Sequence, residues 1–183
     1  MNFLQQIDES LLRFINITLA NPVTDKAMPL ITKEESWIIF YVLFWLSLVF
    51  TGGKRGAIAG ILLLLLILIT DQTSNLFKAY FQRIRPCNVL TDLHMLVNCT
   101  QSFSMPSSHA VNNFAAATFL SHFYPKYRYA LFTGAFIVAI SRIFVGVHYP
   151  FDMLVGAALG IIIAMLLLYV WKFVNSKFKI LKS

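Results

Sequence analysis

Charge is what this sequence has least of. Only 13% of its 183 residues are Asp, Glu, Lys or Arg, while 58% are hydrophobic. That is about half the charged share of a soluble domain, so the bilayer is the expected solvent. Acidic residues are scarcer still, 8 against 15 Lys and Arg, for a formal net charge of +7. No basic run is interleaved with aromatics, and most Lys and Arg flank apolar segments, which argues against nucleic acid as a partner. A secretory leader is missing as well: residues 2–20 carry Asp8 and Glu9 and lack a basic start followed by an apolar run, so later helices are expected to direct insertion. Cysteine is confined to Cys87 and Cys99.

What is present predicts an all-α integral membrane bundle of five transmembrane helices plus one N-terminal interfacial helix, six helices in total, with residues 1–183 forming one membrane-embedded domain. Over residues 3–19, Phe3, Ile7, Leu11 and Ile15 share a stripe, with Gln6, Asp8, Glu9 and Arg13 elsewhere, the pattern of a helix lying in the interface. Asn21-Pro22 should end it, so residues 1–31 read as interfacial helix and linker. Thr32 and Glu35 form a capping-box pattern that should open the first span, through Trp37 to about Thr51. The second span starts at Ala57 and, at about 1.5 Å per residue, can reach Tyr80. Near its far end Asp71, Asn75 and Lys78 share a face at i, i+4 and i+7, and polar groups at that depth are expected to face the protein interior or a water-filled cavity. Residues 81–106 are long enough without apolar pattern to suggest a functional loop. Three more spans follow: Ser107 to about Phe123, Tyr129 to about Val147 and Phe151 to about Trp171.

Five antiparallel spans collect Lys54, Arg55, Lys126, Arg128, Lys172, Lys177, Lys179 and Lys182 on one side with no Asp or Glu. The positive-inside rule makes that side cytoplasmic. The 81–106 loop then lies outside, in the periplasm if the membrane is a bacterial inner membrane. An oxidising compartment would let Cys87 and Cys99 pair; two free thiols are the alternative.

One stretch, Ser102 to His109 (Ser-Phe-Ser-Met-Pro-Ser-Ser-His), stops the polar loop and opens an apolar helix with Ser107 as N-cap, and such a helix start attracts anions. Lys78 to Pro86 and Ser141 to Asp152 look built to meet it. Together the three segments offer cations, two histidines, hydroxyls and one carboxylate. Phosphoryl transfer needs that equipment, because charge spreads over three oxygens that cations and N–H donors must surround. Pro150 prevents one continuous helix and leaves Asp152 at a helix start, where it can accept the Nδ1 proton of His148 and leave Nε2 free to attack. His109, on the first turn of another helix, is then available to protonate the leaving oxygen and later to take a proton from water.

Lys78, six residues, Arg85-Pro86; Pro106-Ser107-Ser108-His109; and Ser141-Arg142, five residues, His148, three residues, Asp152: this series closely resembles the three-part signature of the type-2 phosphatidic acid phosphatase family. The resemblance implies a lipid phosphatase that uses neither metal nor cofactor, works through a covalent phosphohistidine and releases inorganic phosphate. By motif position, His148 would be the nucleophile, Asp152 its partner and His109 the acid and base. Lys78, Arg85, Ser107, Arg142 and the Ser108 amide would hold phosphate oxygens, with Asp71 and Asn75 in support. The family often has glycine where this chain has Ser108; the backbone donor survives, but close approach of a bulky headgroup is put in question. Implied substrates are phosphatidylglycerol phosphate, phosphatidate or lipid A 1-phosphate, with undecaprenyl diphosphate as the alternative. No obligate protein partner is implied.

Two rival classes remain. A metal hydrolase could draw on His94, His109, His122, His148, Asp92 and Asp152, but Lys78, Arg85 and Arg142 would repel a divalent cation, and no ligand pair has zinc-like spacing. A carrier for anionic lipid headgroups would use the same cations, yet has no need of an Asp-supported histidine facing a second histidine.

Overall fold

The computed structural model describes residues 3–181, so Lys182 of the basic tail lies outside the described residues. In chain order come α1 (Phe3–Arg13), a π-helical turn (Phe14–Thr18), α2 (Pro22–Thr32), a 3₁₀ turn (Glu34–Trp37) and α3 (Ile38–Thr51). Then follow α4 (Gly53–Phe81), α5 (Ser108–Phe123), α6 (Arg128–Phe144) and α7 (Pro150–Phe178). The all-helical membrane fold stands, but with seven α-helices among the described residues in place of six. Asn21-Pro22 is the reason. It starts a helix as well as ending one: the Asn21 side chain accepts from the N–H groups of Val23 and Thr24, Thr24 Oγ1 accepts from the Asn21 N–H, and Pro22 takes the first helical position. Residues 22–32 are therefore helix where a linker was expected. Thr32 closes α2 and forms no capping box; residues 34–37 make the 3₁₀ turn and α3 begins only at Ile38.

Among the described residues, four stretches are long and apolar enough to cross a membrane: Glu34–Thr51, Gly53–Phe81, Pro125–Phe144 and Pro150–Phe178. α5 has 16 residues. It nevertheless lies beside α4 from Gly56 to Ser74, because Ser108 at its start bonds Ser74 while the Tyr124 hydroxyl just past its end lies beside Gly56. α5 packs on α4, α6 and α7 together. Protein, not lipid, covers it, which permits Asn112, Asn113, Thr118 and Ser121 in a helix at this depth. Gly156 and Gly160 bring α7 against it: a Cβ on Gly156 would sit 2.8 Å from the Ser107 carbonyl oxygen, and one on Gly160 would collide with the carbonyl of Val111. Leu63, Leu66, Ala115, Phe119, Phe123, Ala164, Leu168 and Trp171 form the core below that contact. Ile39, Phe40, Ile61, Leu68, Leu166 and Tyr169 face outward, an apolar belt suited to hydrocarbon.

α1 is amphipathic in an unusual sense. Phe3, Leu4 and Leu11 are exposed, whereas Asp8 and Glu9 are buried. Its acidic face is the packing face. Asn16, buried in the π-helical turn, donates to the carbonyls of His94 and Phe144 and accepts from the His94 N–H. That one amide ties the N-terminal segment to the long loop and to the end of α6.

Candidate active site

Gln82, in the left-handed region at φ 46°, ends α4 and turns the chain into the loop. Ser104 returns beside it, its N–H bonded to the Arg83 carbonyl at 2.7 Å. Cys87 and Cys99 form a disulfide with Cα atoms 6.0 Å apart, and Asn88 Nδ2 donates to the Thr100 carbonyl within the same loop. Arg85 is thereby held over the bundle end. Its Nε donates to the Ser102 carbonyl (2.8 Å), Nη2 to Ser102 Oγ (2.9 Å) and Nη1 to the Val147 carbonyl (3.1 Å).

Arg85 Nη1 also lies 3.1 Å from His148 Nε2. A guanidinium can only donate, so Nε2 carries the lone pair and the imidazole proton sits on Nδ1. Nδ1 faces Asp152 Oδ2 at 3.4 Å and Ser104 Oγ at 3.3 Å. Ser104 Oγ donates to Asp152 Oδ2 in a short hydrogen bond, and the Tyr149 N–H donates to the same oxygen at 2.8 Å. His148 is almost wholly buried. Burial, opposed by Asp152, pushes its pKa down to about 3, so the ring is neutral at physiological pH. Burial also lowers the pKa of Arg85.

Across the cavity, His109 Nε2 lies 3.0 Å from Glu34 Oε1 and 3.2 Å from the Thr32 carbonyl oxygen. Arg142 Nη1 donates to Thr32 Oγ1. α2 packs on α6, which is how residues 32–34 reach both groups. Lys78, Arg85, Ser108, His109, Arg142 and His148 line one cavity of about 290 Å³ with Glu34, Asp71, Thr100, Ser102 and Asn112. A larger hollow of about 490 Å³, lined by Asp8, Arg83 and Tyr149 among others, contains neither His109 nor His148. The smaller one gathers both histidines with Lys78, Arg85 and Arg142.

Ser107 and Asp152 lie behind the lining, joined by a 3.0 Å bond from the Ser107 N–H to the Asp152 carbonyl. Ser107 is the N-cap residue of α5, but its side chain makes no capping bond. Its Oγ and Arg142 Nε are buried with no hydrogen-bond partner among the described residues, as groups awaiting a ligand would be. Asp71 takes a 2.9 Å bond from Asn112 on the cavity wall. Asn75 is exposed and does not line the cavity. The seam of α4 toward α5 runs through Leu66, Thr70 and Ser74, and it is Ser74 that bonds Ser108.

Sequence reasoning missed Arg83, Ser104, Asp8, Thr32 and Glu34. Arg83 and Ser104 lay inside the motif segments, where two arginines in Arg-Ile-Arg-Pro and four serines around Met105 were the available signal. Asp8, Thr32 and Glu34 carried none, since their partners are remote in sequence. Arg83 bonds Asp152 Oδ1 (2.8 Å) and Asp8 Oδ2 (2.6 Å). Burial works against its charge, but Asp152 and Asp8 outweigh that and raise its pKa. Among the rival metal ligands, His94 pairs with Asp25 (3.1 Å), Asp92 with Arg13 (2.8 Å), and His122 packs on Phe123. None of these three lines the cavity of His109 and His148.

Comparison with known proteins places this geometry. The PAP2 superfamily model matches residues 57–176, more than half of the chain. A lipid A 4'-phosphatase of Bacteroides thetaiotaomicron is 31% identical over 169 residues, 87% of this chain and 75% of that protein. The crystal structure of Aquifex aeolicus LpxE superposes with a TM-score of 0.74 at 28% identity, covering 89% of this chain and 95% of that one. A transmembrane PAP2 type phosphatidylglycerolphosphate phosphatase from Bacillus subtilis also gives a TM-score of 0.74, at 26% identity, covering 97% and 89%. The chain belongs to the PAP2 superfamily, the type-2 phosphatidic acid phosphatase family that its three motifs resemble, and is an integral membrane phosphatase.

Proposed function

We propose that the protein hydrolyses the phosphomonoester of a lipid phosphate through a covalent phosphohistidine on His148. The observation that carries this reading is the pair of contacts on that ring. Arg85 on Nε2 and the Asp152–Ser104 pair on Nδ1 select the neutral tautomer whose lone pair points toward the cavity. When phosphate enters, Arg85 can turn its N–H groups to the phosphate oxygens, which uncovers Nε2. Lys78, Arg142, the Ser107 hydroxyl and the Ser108 amide, free of an intrahelical partner at the start of α5, complete the cradle. The Nε2 lone pair forms the N–P bond as the ester P–O bond breaks, and protonated His109, its charge supported by Glu34, gives its proton to the leaving oxygen. Water then attacks phosphorus, His109 takes the water proton, the N–P bond breaks and inorganic phosphate leaves.

A cavity of about 290 Å³ takes a phosphate and the first groups of a headgroup while the acyl tails stay in the bilayer. Likeness to the lipid A 4'-phosphatase, to LpxE and to the phosphatidylglycerolphosphate phosphatase supports lipid A phosphates, phosphatidylglycerol phosphate and phosphatidate as the candidate substrates. Undecaprenyl diphosphate is the alternative, supported by likeness to an undecaprenyl-diphosphatase. Residues 1–183 act as one domain in a bacterial inner membrane, with the site on the periplasmic face. The basic, acid-free opposite end and the Cys87–Cys99 bridge support that orientation.

Phosphate release by the purified protein from each of these lipids, in EDTA and with acid-labile phosphate trapped on His148, tests the reaction. A protein that binds the lipids without releasing phosphate would be a carrier instead. For orientation, a cysteine at Gly53 should react with an impermeant thiol reagent only in opened cells and one at Asp92 in intact spheroplasts; the reverse result would put the site in the cytoplasm.

A further inference from the structure

The carboxylate behind His148 is held by Arg83, whose second partner lies outside the 57–176 match. Asp8 of α1 is fully buried and accepts from Arg83 Nη2 at 2.6 Å and from the Phe151 N–H at 2.8 Å. The second prong of Arg83, Nη1, donates to Asp152 Oδ1 at 2.8 Å. The guanidinium lies 3.9 Å over the Tyr149 ring. Arginine is a rigid fork, and here each prong serves a different carboxylate. Asp152 is left with Oδ2 for Ser104, the Tyr149 N–H and His148.

We propose that Asp8 is a positioning residue for the reaction: by occupying one prong of Arg83 it prevents a two-pronged grip on Asp152 and keeps Asp152 Oδ2 turned toward His148 Nδ1. Without Asp8 the guanidinium satisfies both prongs on Asp152, since bidentate pairing is the preferred arrangement. The carboxylate then rotates away from His148, and the tautomer that leaves Nε2 free loses its support. Asp8 does not line the cavity of the two histidines, so its effect passes through Asp152 rather than through substrate. Fold stability alone gives little reason for burying this network, because well-packed apolar side chains replace buried ion pairs at no net cost in many proteins.

The inference rests on the phosphohistidine reading, and the experiment separates the two. The activity of detergent-purified protein is measured on whichever of the four candidate lipid phosphates the wild type hydrolyses fastest. Asp8→Asn should lower kcat by about tenfold or more, as expected for misorientation of a catalytic group, with KM within about twofold. Asp8→Glu should recover part of the loss. In the Asp152→Asn background, Asp8→Asn should cost nothing further, because no carboxylate remains to be oriented. Arg83→Lys has no fork and cannot take the two-pronged grip, so added to Asp8→Asn it should restore part of kcat; Asp8→Ser serves in place of Asp8→Asn if thermal melting shows that variant unfolded. An unchanged kcat, a loss carried by KM, or losses that multiply in the double variant would overturn the role of Asp8 and leave the phosphohistidine intact. Full activity in His148→Ala would instead overturn the reaction itself.

Discussion

His109 Nε2 lies 3.0 Å from the Glu34 carboxylate and 3.2 Å from the Thr32 carbonyl oxygen. Both neighbours only accept, so Nε2 carries a ring proton in the neutral tautomer and in the imidazolium alike; the leaving-group acid is the imidazolium. Glu34→Gln keeps an acceptor oxygen but removes the negative charge that supports a protonated imidazole. The expected result is a fall in kcat of about tenfold, within the range that acid–base assistance contributes, with KM little changed. Single-turnover kinetics should show the slow step to be ester cleavage. Unaltered ester cleavage in Glu34→Gln would assign His109 another source of orientation.

His148→Ala should abolish turnover, whereas Asp152→Asn should leave a small residue of activity. The asymmetry follows from the geometry. Nε2 is lost in the first variant, but in the second it remains and only its tautomer and aim are degraded. Ser104 Oγ, 3.3 Å from Nδ1, is still present to accept the ring proton, so Ser104→Ala combined with Asp152→Asn should fall below Asp152→Asn alone. Steady-state phosphate release on the three variants checks the order.

Burial holds the His148 pKa at about 3, below the ordinary value of about 6.5. A base whose pKa is lowered on folding binds fewer protons in the folded state, so its contribution to stability is present above about pH 6.5 and is lost as pH falls toward 3. Thermal melting in detergent should therefore decline between pH 7 and pH 4, and the decline should be shallower in His148→Gln. Histidine ¹⁵N spectra should show this ring still neutral at pH 5. Equal slopes in wild type and variant would place the acid sensitivity elsewhere.

The Cys87–Cys99 bridge closes a segment of sequence separation 12, next to Arg85-Pro86. Cross-links over loops of that size stabilise by about 3 kcal/mol. Cys87→Ser should lower the melting temperature accordingly. Arg85 keeps its three bonds to Ser102 and Val147, but the loop bearing Ser102 is freed, and a shift of about 1 Å at a catalytic group can cost about a hundredfold in rate. Turnover should thus drop by more than stability alone implies. Mass spectrometry of unreduced protein, paired with the activity of Cys87→Ser, decides the matter; free thiols or unchanged turnover would leave Arg85 positioned by those bonds alone.

The membrane bundle and the residues that gather around the cavity were legible in the sequence because both depend on local properties. Hydropathy over about twenty residues marks a span whatever its neighbours do. Pro86, Pro106 and Pro150 mark where helices stop or start, which is where Arg85, Ser107, His109, His148 and Asp152 sit. The extra helix α2 escaped because Asn21-Pro22 is equally a stop and a start, and only the bonds from Val23 and Thr24 to Asn21 distinguish the two. Asn75 shares a helical face with Asp71 and Lys78, yet periodicity does not say which residue of that face meets α5, and the neighbouring Ser74 does. Tertiary structure alone decided the pairings of Asp8 and Asp152 with Arg83, of Thr32 with Arg142 and of Glu34 with His109. A buried charge must find a partner to offset its lost hydration, but any opposite charge or carbonyl within reach will serve, and reach is set by how the helices pack.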